Sequence, residues 1–527
     1  MKRTILCLGA LLLASAAPPR APGQSFDILI RGGEIHNGEG RTPFTGSVGI
    51  RGDRIAYVGP NRAGLSGRRV IDARGMAVLP GLIDVHTHPD SYIRADSAEA
   101  RLNAPWLMQG VTTIFTGVDG YGTPDVGKDA AALERSGIGT NIVPYVGFGG
   151  VRRRVLGASA ARPNAEQLAR MQKLVAGAMC DGAIGFSTGL FYAPQSFADT
   201  EEVIALAREA AKRGGVYDSH QRDESSYTIG LIGSVREAIR IGREAGMPVH
   251  FAHLKALGVD VHGQAPAVVA EIERARSAGL DVTADQYPWL ASGSNLEASL
   301  IPRWAVDGGT EAMRKRFDDP ALLERIRTEA RDNLRRRGGA ESMLLTSAGE
   351  PWTGTRLSEM AKAWGLDPID AAIRILRQSE RTSIASFNMR QDDVDLIMKQ
   401  KWVVTGSDGS DGHPRQYATF PELYRAYVLG RKVITFRDFV RRSTGAPADM
   451  FKLKDRGYLR PGYAADVLVL DKARYRPRAT YVEPRQLSEG VRALLVNGKV
   501  AVDGYRMTGL AAGRALLRKP PRGSCPA

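Results

Sequence analysis

Cysteine is scarce in this chain, which has three cysteines among 527 residues. Cys7 lies in the apolar segment at the start, so only Cys180 and Cys525 belong to the rest of the chain. Two cysteines cannot build the disulfide framework of a small secreted domain, and neither lies in a motif that favours a thiol nucleophile. A single bridge between Cys180 and Cys525 stays open as an alternative to two free thiols.

Long hydrophobic runs are missing as well. The apolar run at residues 5–13 follows Lys2 and Arg3 and precedes the small residues 14–16. It is too short for a stable membrane span, but the order of basic, apolar and small residues is typical of a signal peptide. We therefore predict a signal peptide over residues 1–16, export to the periplasm or out of the cell, and no stable span in the mature protein. The alternative is a frayed apolar terminus.

A concentrated basic surface is also absent from the pattern, although the net charge is +15. The basic residues are scattered, with short clusters only at 152–154 and 335–337, and aromatic residues do not alternate with them. A nucleic-acid groove needs such clustering and alternation. We expect no nucleic-acid partner and attribute the charge to solubility and to affinity for anionic surfaces or substrates.

The two ends of the chain share a sequence pattern that is typical of short strands and turns. Over residues 26–78 and again over 457–515, apolar and polar residues alternate between turns that contain Gly or Asn. This period of two predicts short antiparallel strands. We predict one small discontinuous β-sandwich domain built from both terminal segments.

The middle of the chain, residues 79–456, alternates strand-like segments with helical patterns. The candidate strands are 78–88, 110–117, 141–148, 183–189, 216–222, 248–255, 281–289 and 402–409. Eight strands separated by helices indicate an α/β fold of the (β/α)8 TIM-barrel type. A doubly wound sheet is the alternative, but no glycine-rich dinucleotide motif follows an early strand. Residues of about 296–345 are predicted to be an insertion over the barrel mouth, with disorder as the alternative.

Chemically active side chains fall at the ends of these predicted strands, where TIM barrels carry their catalytic groups. His86 and His88 end the first strand and, being two residues apart, share a face. Imidazole is a common ligand of divalent metals. The later strand ends carry Asp119, His220, His253, Lys255, Tyr287 and Asp408. Four of the eight histidines of the chain belong to this set, which predicts a metal centre.

Strand parity separates the two histidines of the sixth strand. His253 shares its face with Lys255, whereas His250 faces the opposite side. We predict His253 as a ligand and His250 as a packed or hydrogen-bonded histidine. His36 and His262 lie outside the pattern and are expected to be structural or exposed.

Several short segments resemble a known family. They read HTH at 86–88, SHQRDE at 219–224, HLK at 253–255, DQYPW at 285–289, SDG at 407–409 and HPR at 413–415. In this order, and together with the segment 182–190, they resemble the amidohydrolase superfamily and most closely its N-acyl-D-amino-acid deacylases, the D-aminoacylases. The resemblance runs from about residue 27 to residue 471.

The resemblance implies a zinc hydrolase with one or two ions. A tightly held ion would take His220, His253 and a bridging residue after the second strand, and a weaker position would take His86, His88 and Asp408. The chain departs from the family at the bridge, because the usual pattern ends Gly-Asn-Cys-Gly and residues 117–120 read GVDG. Asp119 stands in place of the thiolate. A carboxylate binds zinc as a harder ligand than sulfur, and the alternative is a turn aspartate without a metal role.

The resemblance also implies roles in catalysis and substrate binding. Asp408 would take a proton from the attacking water and deliver it to the leaving amine. Lys255, Tyr287 and Arg415 match the family positions that hold the α-carboxylate of the substrate, and arginine suits bidentate carboxylate recognition. We expect Arg415 on a glycine-rich loop near the mouth. Arg222 and Glu224 are candidates for supporting the site.

The resulting prediction is an exported zinc-dependent hydrolase that cleaves the amide bond of small N-acyl-D-amino acids. A dipeptidase or a cyclic-amide, hydantoinase-like enzyme is the alternative. Cyclic-amide enzymes usually bridge their metals with a carbamylated lysine, and the fourth strand, residues 183–189, has no lysine. A non-catalytic binding protein on the same scaffold is the third alternative. The oligomeric state stays open.

Overall fold

The computed structural model describes residues 24–380 and 382–525. The predicted signal peptide at residues 1–16 lies outside the described residues. The strands are β1 (Ser25–Ile35), β2 (Phe44–Arg51), β3 (Arg54–Gly59), β4 (Ser66–Asp72), β5 (Ala77–Pro80), β6 (Leu82–Asp84), β7 (Val111–Thr116), β8 (Asn141–Pro144), β9 (Val146–Gly147), β10 (Gly185–Gly189), β11 (Val216–His220), β12 (Val249–Phe251), β13 (Val282–Gln286), β14 (Ala291–Asn295), β15 (Met343–Leu345), β16 (Ser383–Phe387), β17 (Val403–Thr405), β18 (Val467–Leu470), β19 (Val491–Val496), β20 (Lys499–Asp503) and β21 (Arg506–Met507).

The helices are α1 (Asp90–Ile93), α2 (Ala98–Arg101), α3 (Ala104–Leu107), α4 (Val126–Ser136), α5 (Phe148–Leu156), α6 (Ala165–Cys180), α7 (Thr200–Lys212), α8 (Gly230–Ala245), α9 (Ala265–Ser277), α10 (Leu296–Leu300), α11 (Thr310–Arg316), α12 (Pro320–Arg336), α13 (Leu357–Trp364), α14 (Pro368–Gln378), α15 (Gln391–Met398), α16 (Arg415–Glu422), α17 (Phe436–Ser443) and α18 (Gly445–Met450). A π-helical segment, Leu423–Gly430, continues α16. Within the described ranges, no helix combines the length and the apolar character that crossing a bilayer requires.

Both terminal segments build one domain. Strands β1–β5 and β18–β21 form a single nine-stranded sheet, in which β18 of the second segment pairs antiparallel with β5 of the first. Residues of both segments, such as Ile30, Val78 and Val469, pack in one apolar core. The domain therefore depends on long-range pairing between the two ends of the chain. Strand β5 belongs to this sheet, so the barrel begins at β6.

The eight predicted barrel strands are present. Strands β6, β7 and β8 form one parallel sheet, and β9, β10, β11, β12, β13 and β17 form another. Only Tyr145 separates β8 from β9, and a bridge between Thr87 and Gly409 joins the first and last strands. The strands are buried on both faces, as expected of a parallel sheet covered by helices. The predicted (β/α)8 fold with an additional β domain is confirmed.

The insertion is longer than the sequence predicts. It runs over residues 291–387, because β16 returns to pair antiparallel with β14 and β15 and so closes a three-stranded sheet. The charged helix α12 buries Ile326, Ala330 and Leu334 in the core of this unit. The predicted end near residue 345 is therefore wrong, since the helices α13 and α14 and strand β16 also belong to the insertion.

Side chains of preceding loops bind the first turns of helices α7 and α8. Asp199 caps α7 by accepting a hydrogen bond from the backbone N–H of Glu202 at 2.9 Å. Helix α8 begins at Gly230, and Ser234 lies inside it. The carboxylate of Asp223, from the preceding loop, accepts the backbone N–H of Gly230 at 3.1 Å and satisfies a free donor of the first turn.

Candidate metal centre

The carboxyl ends of the barrel strands gather six side chains at one place. They come from β6, β7, β11, β12 and β17 or the residues directly after them, and they are His86, His88, Asp119, His220, His253 and Asp408. All are buried except His88, whose side chain is 23% exposed. The structure therefore brings together every residue that the sequence predicts as a ligand.

Asp119 lies at the centre of this cluster. Its Oδ1 is 3.3 Å from His86 Nε2 and 3.5 Å from His253 Nε2. Its Oδ2 is 3.4 Å from His88 Nε2 and 3.7 Å from His220 Nδ1. One carboxylate thus faces four imidazoles, two with each oxygen. This is the position of a bridging group, as the sequence predicts for Asp119.

The backbone at this centre adopts an uncommon conformation. Asp119, His253 and Asp408 have positive φ angles of 53°, 33° and 48°. Non-glycine residues rarely occupy this region, and residues held there concentrate at functional sites. The backbone is fixed by hydrogen bonds between the first and last strands, since Asp408 N–H donates to His86 O at 2.9 Å. The uncommon backbone conformation therefore coincides with three of the predicted ligands.

The charges of the cluster favour a cation. Burial lowers the pKa of His86, but the carboxylates of Asp119, Asp285 and Asp408 outweigh it and raise the pKa to about 9. Burial acts to raise the pKa of Asp119, yet the imidazoles of His86 and His220 hold it well below its usual range. The carboxylates are therefore ionised, and their negative charge favours a bound cation such as a metal ion.

The donor atoms fit a divalent metal ion. One donor atom each from His86, Asp119, His253 and Asp408 lies within 4.8 Å of all the others. Neither ring nitrogen of His86 or His220 has a hydrogen-bond partner among the described residues, and the same holds for Asp119 Oδ1. Buried polar atoms without partners are costly, and metal ligation would remove that cost. Imidazole and carboxylate donors suit zinc.

A layer of polar groups supports the cluster from below. His250 contacts Thr283 Oγ1 at 2.8 Å and Asp285 Oδ2 at 3.1 Å. Asp285 Oδ1 also accepts the backbone N–H of His253 at 3.1 Å. His250 is thus hydrogen-bonded inside the barrel, and Asp285 orients the loop that carries a predicted ligand.

Glu224, a candidate for supporting the site from the sequence, lies beside His253 and Lys255. Its Oε1 lies 3.2 Å from His253 Nδ1 and accepts a hydrogen bond from Lys255 Nζ at 2.6 Å. A histidine that binds metal through Nε2 carries its proton on Nδ1 and needs an acceptor there. Glu224 Oε1 is the acceptor within reach of Nδ1, and Lys255 Nζ lies 2.6 Å from the same nitrogen while it donates to that carboxylate. The sequence signal was its position in the same segment as His220, but only the fold reveals its proximity to His253.

We expect the Glu224→Gln variant to bind zinc about 10–100-fold more weakly, because a carboxylate that holds a metal-ligating histidine contributes on this scale. Zinc titration of chelated protein, followed by mass spectrometry, measures the effect. Glu271→Gln is the matched control, since Glu271 pairs with Arg236 and Arg274 on the outer helices. Equal zinc affinity in both variants would show that Glu224 does not position His253 for metal binding.

The three predicted carboxylate binders lie side by side. The ring of Tyr287 has Lys255 Nζ at 5.5 Å and Arg415 Cζ at 5.2 Å from its centre. The hydroxyl of Tyr287 is buried and has no hydrogen-bond partner among the described residues. Arg415 differs from the expectation of a loop, because it begins helix α16 and its Nη1 lies 2.7 Å from Asp408 Oδ2.

Known proteins show similarity along most of the chain. Residues 69–502 match the amidohydrolase family. The N-acyl-D-glutamate deacylase of Alcaligenes xylosoxydans xylosoxydans is 31% identical over 503 residues, which cover 90% of this chain and 93% of that protein. A solved D-aminoacylase with a binuclear metal centre has a TM-score of 0.79 and 30% identity, covering 94% of this chain and 100% of that chain. The N-acyl-D-glutamate deacylase of Bordetella bronchiseptica, solved with zinc and a phosphonate inhibitor, has the same TM-score, identity and coverage.

Proposed function

Because the chain belongs to the amidohydrolase family, we propose that it is an exported hydrolase that uses one or two zinc ions to cleave N-acyl-D-amino acids. The scissile bond is the amide between the acyl group and the amino nitrogen, a C–N bond other than a peptide bond. The products are a carboxylic acid and a free D-amino acid. The relatives named above act on this class of substrate.

One observation carries the proposal. Four histidines and two aspartates converge at the carboxyl ends of the barrel strands, and buried nitrogen and oxygen atoms of this cluster lack hydrogen-bond partners among the described residues. We assign the metal-binding role to His86, His88, Asp119, His220, His253 and Asp408. Held by these residues, zinc would supply the Lewis acidity needed to activate water and to polarise the amide carbonyl.

Asp408 moves the proton in this reaction. Burial acts to raise the pKa of Asp408, but Arg415 and the imidazoles of His253 and His88 outweigh it and hold the pKa below its usual range. The carboxylate is therefore ionised and can accept the proton of the attacking water. A C–O bond forms at the carbonyl carbon, the C–N bond breaks, and Asp408 returns the proton to the leaving nitrogen.

The α-carboxylate of the substrate binds beside this centre. Lys255 and Arg415 carry two positive charges, and the hydroxyl of Tyr287 is a donor without a partner among the described residues. A carboxylate held between them would place the adjacent amide at the metal cluster. Lys255 and Arg415 are already paired with Glu224 and Asp408, so the unpaired hydroxyl of Tyr287 is the donor that a substrate gains most directly.

The test of the proposed function is a panel of matched substrates. Mature protein of measured zinc content is incubated with N-acetyl-D and N-acetyl-L forms of the same amino acids, acidic and neutral, and with D-containing dipeptides. We expect release of free D-amino acid from the N-acetyl-D substrates and far slower release from the L forms. Hydrolysis of dipeptides or L-substrates alone would overturn the assignment.

A disulfide in the chain supports the proposed export. Cys180, the last residue of α6, and Cys525 form a disulfide that spans 345 residues of sequence. Structural disulfides persist mainly in oxidising compartments outside the cytosol. The bridge therefore supports the proposed export, and it fastens the C-terminal segment to a barrel helix.

The Cys180→Ser variant should lose about 2–4 kcal/mol of unfolding free energy, because the bridge restricts a long loop of the unfolded chain. Chemical denaturation measures the loss, and mass spectrometry of unreduced peptides detects the bridge itself. Cys525→Ser should lose the same amount, and the double variant no more, since both changes remove one bond. Two free thiols in the secreted protein would contradict the structure.

A further inference from the structure

A cleft of about 590 Å³ opens beside the metal cluster. Its wall includes Tyr121 and His88, and the side chain of His88 is 23% exposed, more than that of any other residue of the cluster. Both residues also line the mouth of the barrel, a cavity of about 230 Å³ that contains Asp408 and Arg415. The mouth and the cleft are therefore neighbours that share His88 and Tyr121.

The cleft lies across the barrel from the residues assigned to the α-carboxylate. It is lined by residues that follow the second and third barrel strands, β7 and β8, such as Val118 and Tyr145. Lys255 and Tyr287 follow the sixth and seventh barrel strands, β12 and β13. In a closed ring of eight strands, the second and third strands stand opposite the sixth and seventh. The mouth of the barrel therefore has the carboxylate binders on one side and the cleft on the other.

The geometry of an amide determines where the acyl chain of a bound substrate points. A secondary amide is planar and trans, so the α-carbon of the amino acid and the first carbon of the acyl chain lie at opposite ends of it, about 3.8 Å apart. Lys255, Tyr287 and Arg415 would hold the amino-acid end. The acyl chain would then leave the metal cluster on the side of His88 and Tyr121, where the cleft begins.

The walls of the cleft suit a neutral, apolar chain. Val118 and Val126 line it and are each 1% exposed, so they belong to its inner wall. At the rim, Arg94 pairs with Asp90 at 2.8 Å and also with Asp129. These charges are balanced within the protein and do not require an ion from the substrate. Apolar surface buried against the inner wall would therefore stabilise a bound chain.

We propose that this cleft binds the acyl chain of the substrate, so that neutral, unbranched acyl groups longer than acetyl, such as hexanoyl, are preferred. This inference rests on the proposed function and specifies the acyl half of its substrate. Tyr121 is then a specificity-determining residue, because the chain passes its ring on leaving the mouth. The ring centres of His88 and Tyr192 lie 6.1 Å and 6.2 Å from that of Tyr121.

The first test compares N-acetyl-, N-butyryl- and N-hexanoyl-D-alanine with the wild-type protein. The kcat/KM should rise about two- to fourfold with each added methylene, the factor that follows from burying one CH₂ group. A kcat/KM that stays level or falls from acetyl to hexanoyl would overturn the inference alone. No hydrolysis of any N-acyl-D-amino acid would instead overturn the proposed function.

N-adipoyl-D-alanine tests the neutral character of the chain, because it carries a carboxylate at the end of a six-carbon acyl group. Lys128 is exposed at the rim of the cleft and would meet such a charge. We expect slower hydrolysis than for the hexanoyl substrate, since the carboxylate loses hydration against the apolar wall. Faster hydrolysis of the adipoyl substrate would assign the cleft to an anionic acyl group and overturn the proposal.

The second test fills the cleft. Thr123 lines it and is half-buried, so Thr123→Trp should lower the ratio of kcat/KM for hexanoyl to that for acetyl to about one. Thr123→Ser should keep the wild-type ratio, because it retains the hydroxyl that accepts the backbone N–H of Asp125. Thr45→Trp is the matched control, since Thr45 is exposed on β2 of the β domain. With equal zinc content in all samples, a wild-type ratio in Thr123→Trp would overturn the inference.

Discussion

The Asp408→Asn variant should lose about 10²–10⁴-fold in kcat, the range that a positioned general base contributes. Asparagine has nearly the same shape as aspartate but cannot accept the proton of the attacking water. The fold should survive, because the backbone of residue 408 is fixed by its hydrogen bond to His86. Steady-state hydrolysis of an N-acetyl-D-amino acid, with the zinc content of each sample measured, tests the expectation.

The control for this variant lies three residues away. Asp411 is paired with Arg485 at the surface, so Asp411→Asn removes a similar charge without touching the cluster. We expect wild-type turnover from it. Wild-type turnover from Asp408→Asn, at equal zinc content, would remove Asp408 from the mechanism.

Replacement of Asp119, the carboxylate at the centre of the metal cluster, should also have a large effect on activity. Asp119→Ala should abolish stable zinc binding and, with it, turnover, because the one carboxylate that faces four imidazoles is lost. The expected loss of zinc affinity is larger than the loss of about 10–100-fold that follows from removing a group that only supports a ligand. Asp119→Cys should retain zinc, since a thiolate is a softer and strong zinc ligand. Equilibrium dialysis against zinc compares the three proteins.

Asp129→Ala is the control for Asp119→Ala, because Asp129 forms a surface ion pair with Arg94 beyond the site. Its zinc affinity should equal that of the wild type. If Asp119→Ala also binds zinc as the wild type does, Asp119 is a turn residue, and the ligands must be sought among the histidines and Asp408 alone.

The barrel and the cluster at its mouth were predictable because they follow from local patterns. Each parallel strand is a short apolar run, and the barrel fold places every carboxyl end at one mouth. His86, His220 and His253 each sit at such an end in the sequence itself. Periodicity and topology therefore suffice to collect the six side chains, without knowledge of any distance.

What the sequence could not provide depends on contacts between distant segments. The insertion closes through pairing of β14 with β16, about ninety residues apart in the chain. The charged segment between these two strands contains no sequence signal for this pairing. Arg337 is one of three consecutive arginines. Its burial beside Tyr227, while Arg335 pairs at the surface, follows from tertiary packing and has no local signature.

Zinc titration of metal-free protein is the decisive measurement for the proposed metal-dependent hydrolysis. Chelated, dialysed protein is brought to zero, one and two equivalents of zinc, and the release of free D-amino acid from an N-acetyl-D-amino acid is measured at each point. We expect no hydrolysis without metal and full hydrolysis within two equivalents. Undiminished hydrolysis by protein that mass spectrometry shows to be free of metal would contradict it.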